Sequence, residues 1–424
     1  MKKNINLIGS SLYSIFLALE LSKNKNLKIN IYEKTNNFLN AFSSISVGNN
    51  LCNPGFHAFE GLRSRKLIAH LKKKFNIKLK KINKSRGIIL DKYLIDSRTP
   101  INNWPKEIIE NFKLEDKLIK LEPKEVKKKI NKEYIKYLYS NLGDNLELEN
   151  TLQLIYPWFF PNNYRSNIND EGSIYLDKIR TKQIKHNYYI PLNGLFNSFK
   201  SLIIRKLKKN KINILLNKNI SIKKNFFLET YCENKKLSGL TVLTLPIFSI
   251  IPILEGFKFK LPKIKSQKYY TALIEVNQKT EINDFLEIIV SSSKLKGFRR
   301  LSNYSLIKNY KKNIFQIEFV QNNYFENIKF QLESYIKELE KIIQIKKKNK
   351  IDIKIKLIDY KFLRLIFSPK NQDIIKITKK VSSVFKNKSA IILPREITWP
   401  INTNKQYFFA NNDIKKIEIK IKKL

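Results

Sequence analysis

The chain has 424 residues and a mass of 50.2 kDa. That length is enough for two ordinary domains, because about 75% of the unfolded surface is buried on folding at such sizes. Hydrophobic residues at 42% and aromatics at 12% exclude a disordered or fibrous chain despite the 28% charged fraction. Two cysteines, Cys52 and Cys232, exclude a disulfide framework and a zinc cluster and fit a reducing cytoplasm, with no metal expected.

The formal charge of +46 is the signature of nucleic-acid or anionic-membrane partners when it is concentrated on one face. Here the excess is lysine spread evenly among Ile and Asn, with 11 Gly and 1 Met, the imprint of an A/T-rich coding sequence. No RNA-recognition or zinc-finger signature is present, so no specific nucleic-acid partner is expected. The opening lysines lead straight into a strand-like segment, which predicts no signal peptide. The longest apolar stretch, 240–254, is too short to span a bilayer and carries Pro246 and Pro252. At the end of the chain Ile414, Ile417, Ile421 and Leu424 share one helical face among lysines. A docked terminal helix is expected there, with peripheral contact to anionic lipid as the alternative.

In chain order, the apolar run INLIG meets a helical pattern through Leu12, Ile15, Phe16 and Leu19, and a second strand, LKINIYE, follows. This βαβ opening is how a dinucleotide-binding sheet begins, and Glu33 ends the second strand about 20 residues beyond the turn, where a ribose-binding carboxylate belongs. Two short strand-like pieces around Ile45 and Leu51 lead to Asn53-Pro54-Gly55-Phe56-His57, then to a helix over about 60–74. Region 76–187 mixes short strands, polar loops and the cluster Trp158-Phe159-Phe160. From Tyr188 the α/β pattern returns: a turn at Pro191 to Gly194, a helix to about Lys208, strands at 212–216, near 220 and at 240–244. Alternating strands such as TALIEV and IFQIEFV follow. Next comes a helix carrying Phe325, Ile328, Leu332, Tyr335, Ile336, Leu339 and Ile343, and a last strand at 389–393.

These segments together resemble a known superfamily. The run INLIGSSLYSIFLALELSKNKNLKINIYEK resembles the FAD fingerprint of the amine oxidase, protoporphyrinogen oxidase and UDP-galactopyranose mutase group. Its three turn positions are here Gly9, Ser11 and Ser14, so one glycine of three is kept, and a positive φ at either serine would be strained. Asn53 to His57 resembles the family's Gly-Gly-His turn near the flavin ring, YYIPLNG its Pro-x-Gly-Gly turn, and Thr244-Leu245-Pro246 its Thr-x-Pro. The paired glycines that follow the Glu are replaced around Leu39 and Asn40, and the C-terminal Gly-Asp segment is not found.

The resemblance implies an α/β fold: a Rossmann-like FAD/NAD(P)-binding domain assembled from 1–75, 188–255 and 365–424, with an inserted mixed α+β substrate domain from 76–187 and 256–364. It implies FAD held by Gly9, Ser10, Ser11, Leu12, Glu33, Lys34, Gly55, Phe56 and Ile220, and hydride transfer from a small-molecule substrate to the flavin. The N-terminus of the helix behind Ser10 and Ser11 would face the pyrophosphate, and Glu33 would accept ribose hydroxyls. His57 is the candidate proton shuttle, or a histidine that satisfies a tight turn. Arg63, Arg299 and Arg300 stand out among lysines as binders of an anionic substrate, surface ion pairing being the ordinary alternative. Two other readings stay open: a mutase-like sugar isomerase, and a cofactor-free binding protein that keeps the fold.

Overall fold

A computed structural model describes residues 2–54, 58–60, 64–90, 92–96, 105–107, 187–225, 228–245, 247–259, 266–292, 294–295, 297–308, 311–321, 327–344, 352–367, 371–385, 391–392 and 403–423. In chain order the elements that position the site are β1 (Lys3–Ile8), α1 (Leu12–Leu21), β2 (Leu27–Tyr32), α2 (Arg65–Phe75), β3 (Ser85–Leu90), β4 (Tyr93–Asp96), α3 (Phe196–Lys209), β5 (Asn213–Leu215) and β6 (Leu240–Leu243). They continue with β7 (Ser266–Val276), β8 (Phe285–Ser291), β9 (Phe298–Asn303), β10 (Asn313–Val320), α4 (Ile328–Gln344), β11 (Ile355–Phe367), β12 (Ile391–Ile392) and α5 (Thr403–Lys423).

Among the described residues, five strands form a wholly parallel sheet in the order β5-β2-β1-β6-β12. Parallel strands need helical crossovers that cover both faces, so they read as unbroken apolar runs. Accordingly the last four residues of β1 and all of β6 are buried. Three asparagines in one register cross this sheet: Asn213 donates to Asn30 at 2.8 Å, and Asn30 donates to Asn6 at 3.1 Å. Asn6 in turn donates to the Ser238 carbonyl at 2.9 Å, so the buried amides of Asn6 and Asn30 have partners.

Helix α1 is apolar on nearly every side because it is enclosed on nearly every side. Leu12 through Ala18 are all buried, and α5 lies against the face that the sheet leaves uncovered. Ala410, Ile417 and Ile421 enter the same core as Phe16 and Leu17. Polar ties fix the contact: Tyr13 Oη donates to Asp413 Oδ2 at 2.8 Å, and Lys3 Nζ donates to the Ile421 carbonyl at 2.9 Å. The terminal helix is therefore docked, its apolar face spent on α1. No helix among the described residues is long and apolar enough to cross a membrane.

The second sheet has seven strands in the order β11-β7-β10-β9-β8-β3-β4, antiparallel throughout except for the β8–β3 pair. Its two faces differ. Tyr270, Ala272, Phe315, Ile317, Phe319 and Leu301 pack against Leu332, Tyr335 and Leu339 of α4. The alternate positions, on the opposite face by the two-residue period of a strand, carry Thr271, Glu287, Ser302, Gln316 and Glu318, with Leu273, Leu286 and Ile314 in a separate apolar cluster.

The structure is thus the α/β fold expected from the sequence, with a Rossmann-like parallel sheet beside a mixed one. Several boundaries moved. The helix expected over 60–74 starts at Arg65, because Phe59–Glu60 is a short strand paired with Tyr188 and Tyr189. The strand expected at 389–393 is Ile391–Ile392. Phe325 and the cluster Trp158-Phe159-Phe160 lie outside the described residues.

Candidate functional site

The turn between β1 and α1 is built around Gly9, whose φ is +107°. A Cβ there would stand 2.6 Å from Leu245 Cδ2 and 3.3 Å from Thr244 Oγ1, so both conformation and space call for glycine. Thr244 closes the turn from the end of β6, its hydroxyl donating to the carbonyls of Ile8 (2.8 Å) and Gly9 (2.9 Å). The strain expected at Ser11 does not arise. Ser11 is the helix N-cap with φ −75° and ψ 163°, and its Oγ accepts from Ser14 N–H at 3.3 Å. Ser14 lies in the first turn of α1 and is fully buried. One glycine therefore suffices, and serine at the second position gains a capping bond.

The donors at the start of α1 are largely used within the chain. Ser10 N–H bonds Glu33 Oε2 at 3.2 Å and Tyr13 N–H bonds Gln406 Oε1 of α5 at 3.2 Å. Among the described residues, the N–H groups of Ser11 and Leu12 have no such partner. These two, at the positive end of the helix, are the donors open to an anion.

Glu33 stands one residue past β2, half-buried, with its own N–H on the Leu215 carbonyl at 2.9 Å. Its carboxylate is fully engaged. Oε2 accepts from Ser10 N–H (3.2 Å) and Ser10 Oγ (2.6 Å), and Oε1 from Thr35 N–H (3.0 Å) and Thr35 Oγ1 (3.1 Å). Ser10 Oγ also accepts from Leu39 N–H at 3.0 Å, binding the loop after β2 to the turn. Leu39 stands where the resemblance places a glycine and has φ +52°. A left-handed leucine costs about 1–3 kcal/mol, offset by about 1.5–3 kcal/mol from burying its side chain, which is 2% exposed in the main core.

Lys200 of α3 reaches this loop. Its ammonium bonds Asn37 Oδ1 and Ser43 Oγ, the latter at 3.1 Å, and among the described residues it has no carboxylate partner. Burial holds its pKa below the ordinary lysine value. In a chain with 82 Lys and Arg, composition gives no reason to single it out.

Two of the turns that carried the resemblance meet through Asn53. Its Nδ2 donates to the Gly194 carbonyl at 3.0 Å, and its Oδ1 accepts from Phe196 N–H at 3.2 Å. Its carbonyl accepts from Gln316 Nε2 of β10 at 2.8 Å. Gly194 has φ +74°, and a Cβ there would lie 2.4 Å from the Ile307 carbonyl oxygen, so this glycine cannot be replaced without moving backbone. Asn53 thus joins the start of α3 to the mixed sheet; Gly55, Phe56 and His57, which follow it in sequence, lie outside the described residues, as do Arg63 and Pro246.

The polar face of the mixed sheet carries a row of charges across five adjacent strands. Arg86 of β3 bonds Glu287 of β8 (Nε to Oε1, 2.8 Å), and Glu287 Oε2 accepts from Arg300 Nη1 of β9 at 3.2 Å. Arg300 clasps Glu318 of β10 through Nε (3.1 Å) and Nη2 (3.2 Å), and Glu318 accepts from the Tyr269 hydroxyl of β7. Burial alone would raise the Glu287 carboxyl, but Arg86 and Arg300 outweigh it and hold it below the ordinary value. Two arginines and two glutamates balance, so Arg300, with a side chain 31% exposed, offers no unmet charge to an anion. Arg299 lies at a register shift of β9 between Phe298 and Arg300 and is exposed.

The remaining candidates are placed as follows. Lys34 is exposed. Ile220 opens the strand Ile220–Lys224, two residues after Lys218, whose N–H bonds the Glu33 carbonyl at 3.0 Å, and it packs near Tyr32. Cys52 is fully buried, and burial pushes its thiol up to about 12, so it is an inert core residue. No metal-binding cluster occurs among the described residues.

No protein-family model matches the chain, and no curated protein matches it by sequence. Solved structures match it by fold. Reduced UDP-galactopyranose mutase is 11% identical with a TM-score of 0.64, over 100% of this chain and 96% of that one. A structure assigned as a protoporphyrinogen oxidase from Exiguobacterium sp. 255-15 is 13% identical with a TM-score of 0.59, over 99% of both chains. A triple mutant from a redesign of cofactor binding in putrescine oxidase is 10% identical with a TM-score of 0.60, again over 99% of both. The chain has the Rossmann-like α/β fold of FAD-binding oxidoreductases. The three structures share this fold with the chain, and it is the fold that the sequence motifs led us to expect.

Proposed function

We propose that this protein binds FAD at the β1–α1 turn and is an oxidoreductase of the amine oxidase-like type, acting on a small molecule. The observation that carries the reading is the single unit in which Gly9, the free N–H groups of Ser11 and Leu12, and the Glu33 carboxylate converge at one end of a parallel sheet. That end, beyond the carboxyl termini of the strands, is where such sheets bind nucleotides.

In this reading Ser11 and Leu12 donate to the diphosphate, and Glu33 accepts from the adenosine ribose. The backbone of Ile220 borders the adenine, and Lys200 supplies positive charge beneath the loop over Ser10. When bound, FAD supplies the hydride acceptance, and the protein orients the substrate and excludes water. Asn53 is fixed by Gly194, Phe196 and Gln316, and His57, four residues further along the sequence, is the proposed proton carrier. The balanced charge row from Arg86 to Tyr269 suits a substrate of mixed polarity better than a strongly anionic one.

A second reading is a cofactor-free descendant of the fold. It is favoured by Glu33, Gln406 and Ser11 satisfying donors that a dinucleotide would otherwise use. Anaerobic mixing of the FAD-loaded protein with amines, porphyrinogens and nucleotide sugars tests the oxidoreductase. Bleaching of oxidised flavin by one class supports it. Turnover of a nucleotide sugar only with pre-reduced flavin and no net redox change would make it an isomerase instead.

A further inference from the structure

The Glu33 carboxylate has about four lone-pair positions, and four donors fill them. A ribose hydroxyl can therefore bind only by displacing one of them. The two donor pairs are not equally replaceable. Ser10 is 8% exposed, and its hydroxyl lies between Glu33 Oε2 and Leu39 N–H, so turning it away breaks the tie between turn and loop. Thr35 is exposed, and its hydroxyl already lies 3.3 Å from a second acceptor, the Asn37 carbonyl. Its proton can pass from Glu33 to Asn37 with no hydrogen bond left unmade.

We propose that Thr35 is the ribose gate of this chain: its hydroxyl occupies an acceptor position on Glu33 Oε1 in the free protein and turns to the Asn37 carbonyl when a ribose hydroxyl binds, while Ser10 holds Oε2 throughout. The ligand class is an adenosine diphosphate moiety with a free ribose diol, and the inference rests on the dinucleotide reading above. Recognition then passes through one carboxylate oxygen, and the exchange lowers affinity for every ribonucleotide.

The test is calorimetric titration of the full-length protein with ADP and with 2′,3′-dideoxy-ADP, for the wild type, Thr35→Val, Thr35→Ser and Ser10→Ala. The exchange trades a charge-assisted bond to Glu33 for a weaker neutral one to the Asn37 carbonyl, so removing the hydroxyl in Thr35→Val should tighten ADP binding about 3- to 10-fold. It should leave the dideoxy analogue unchanged, while Thr35→Ser behaves as wild type and Ser10→Ala binds ADP more weakly. If ADP binds but Thr35→Val leaves its affinity unchanged or lowered, or tightens both nucleotides alike, the gate is wrong and the dinucleotide site stands. If none of the four proteins binds either nucleotide, the gate and the site fall together.

Discussion

The two sheets solve the placement of polar groups in opposite ways. In the parallel sheet the strands are mainly apolar, their one row of asparagines bonded internally, and the groups open to a ligand lie at the turn beyond their carboxyl ends, where Gly9, Ser10 and Glu33 meet. In the mixed sheet one face is packed on α4, and the other carries Arg86, Glu287, Arg300, Glu318 and Tyr269 through the middle of the strands. The first sheet offers a ligand unused backbone donors at a rim. The second neutralises its charges internally and holds them fixed.

The contrast is most strongly tested at Glu287, whose side chain is 1% exposed and accepts from two guanidiniums. Glu287→Ala would leave Arg86 and Arg300 uncompensated, and urea unfolding should show a loss of about 3–5 kcal/mol. A loss below about 1 kcal/mol would mean that the row is solvated rather than fixed. At the rim of the other sheet, Gly9→Ala should cost about 1–3 kcal/mol through its positive φ and the approach of Leu245. That variant should also lose FAD retention, whereas Glu287→Ala, where folded, should keep it.

The smallest effect expected is a pH dependence at the α1–α2–α5 junction. His70 sits edge-on to Phe16 at 5.4 Å and beside Tyr407 at 5.0 Å, and its buried Nε2 has no hydrogen-bond partner among the described residues. Burial lowers its pKa below 6.5; Glu20 opposes that shift, and Lys74 and Lys23 add to it. A histidine kept neutral when folded takes up a proton more readily on unfolding. The stability it contributes is thus complete above about pH 6.5 and lost as pH falls through and below that value. Melting scans between about pH 7 and pH 5 should show a steeper fall for the wild type than for His70→Leu. Equal slopes would place the acid sensitivity elsewhere.

How much of this could be read from the sequence follows from the same contrast. Strands buried on both faces announce themselves as apolar runs, so INLIG, LKINIYE and the helix between them, with Glu33 at its spacing, were legible without coordinates. Thr244 and the Asn53 and Gly194 turns were legible through resemblance. The charge row was not, because its members lie 201, 13 and 18 residues apart and meet only through strand pairing. The different surroundings of Arg299 and Arg300 come with a register shift between Phe298 and Arg300, which residue spacing does not announce. Leu39 hid a glycine position because its burial offsets the backbone cost, and Lys200 was one cation among many. The capture of Glu33 by Ser10 and Thr35 is a matter of rotamers, which residue spacing does not specify.

The central claim, that the rim of the parallel sheet holds FAD, is tested most directly by a visible absorption spectrum. The protein and its Gly9→Val variant would be incubated with FAD, desalted and compared. The account predicts an oxidised-flavin spectrum retained by the wild type and absent from the folded variant. A folded wild type that emerges colourless would contradict it.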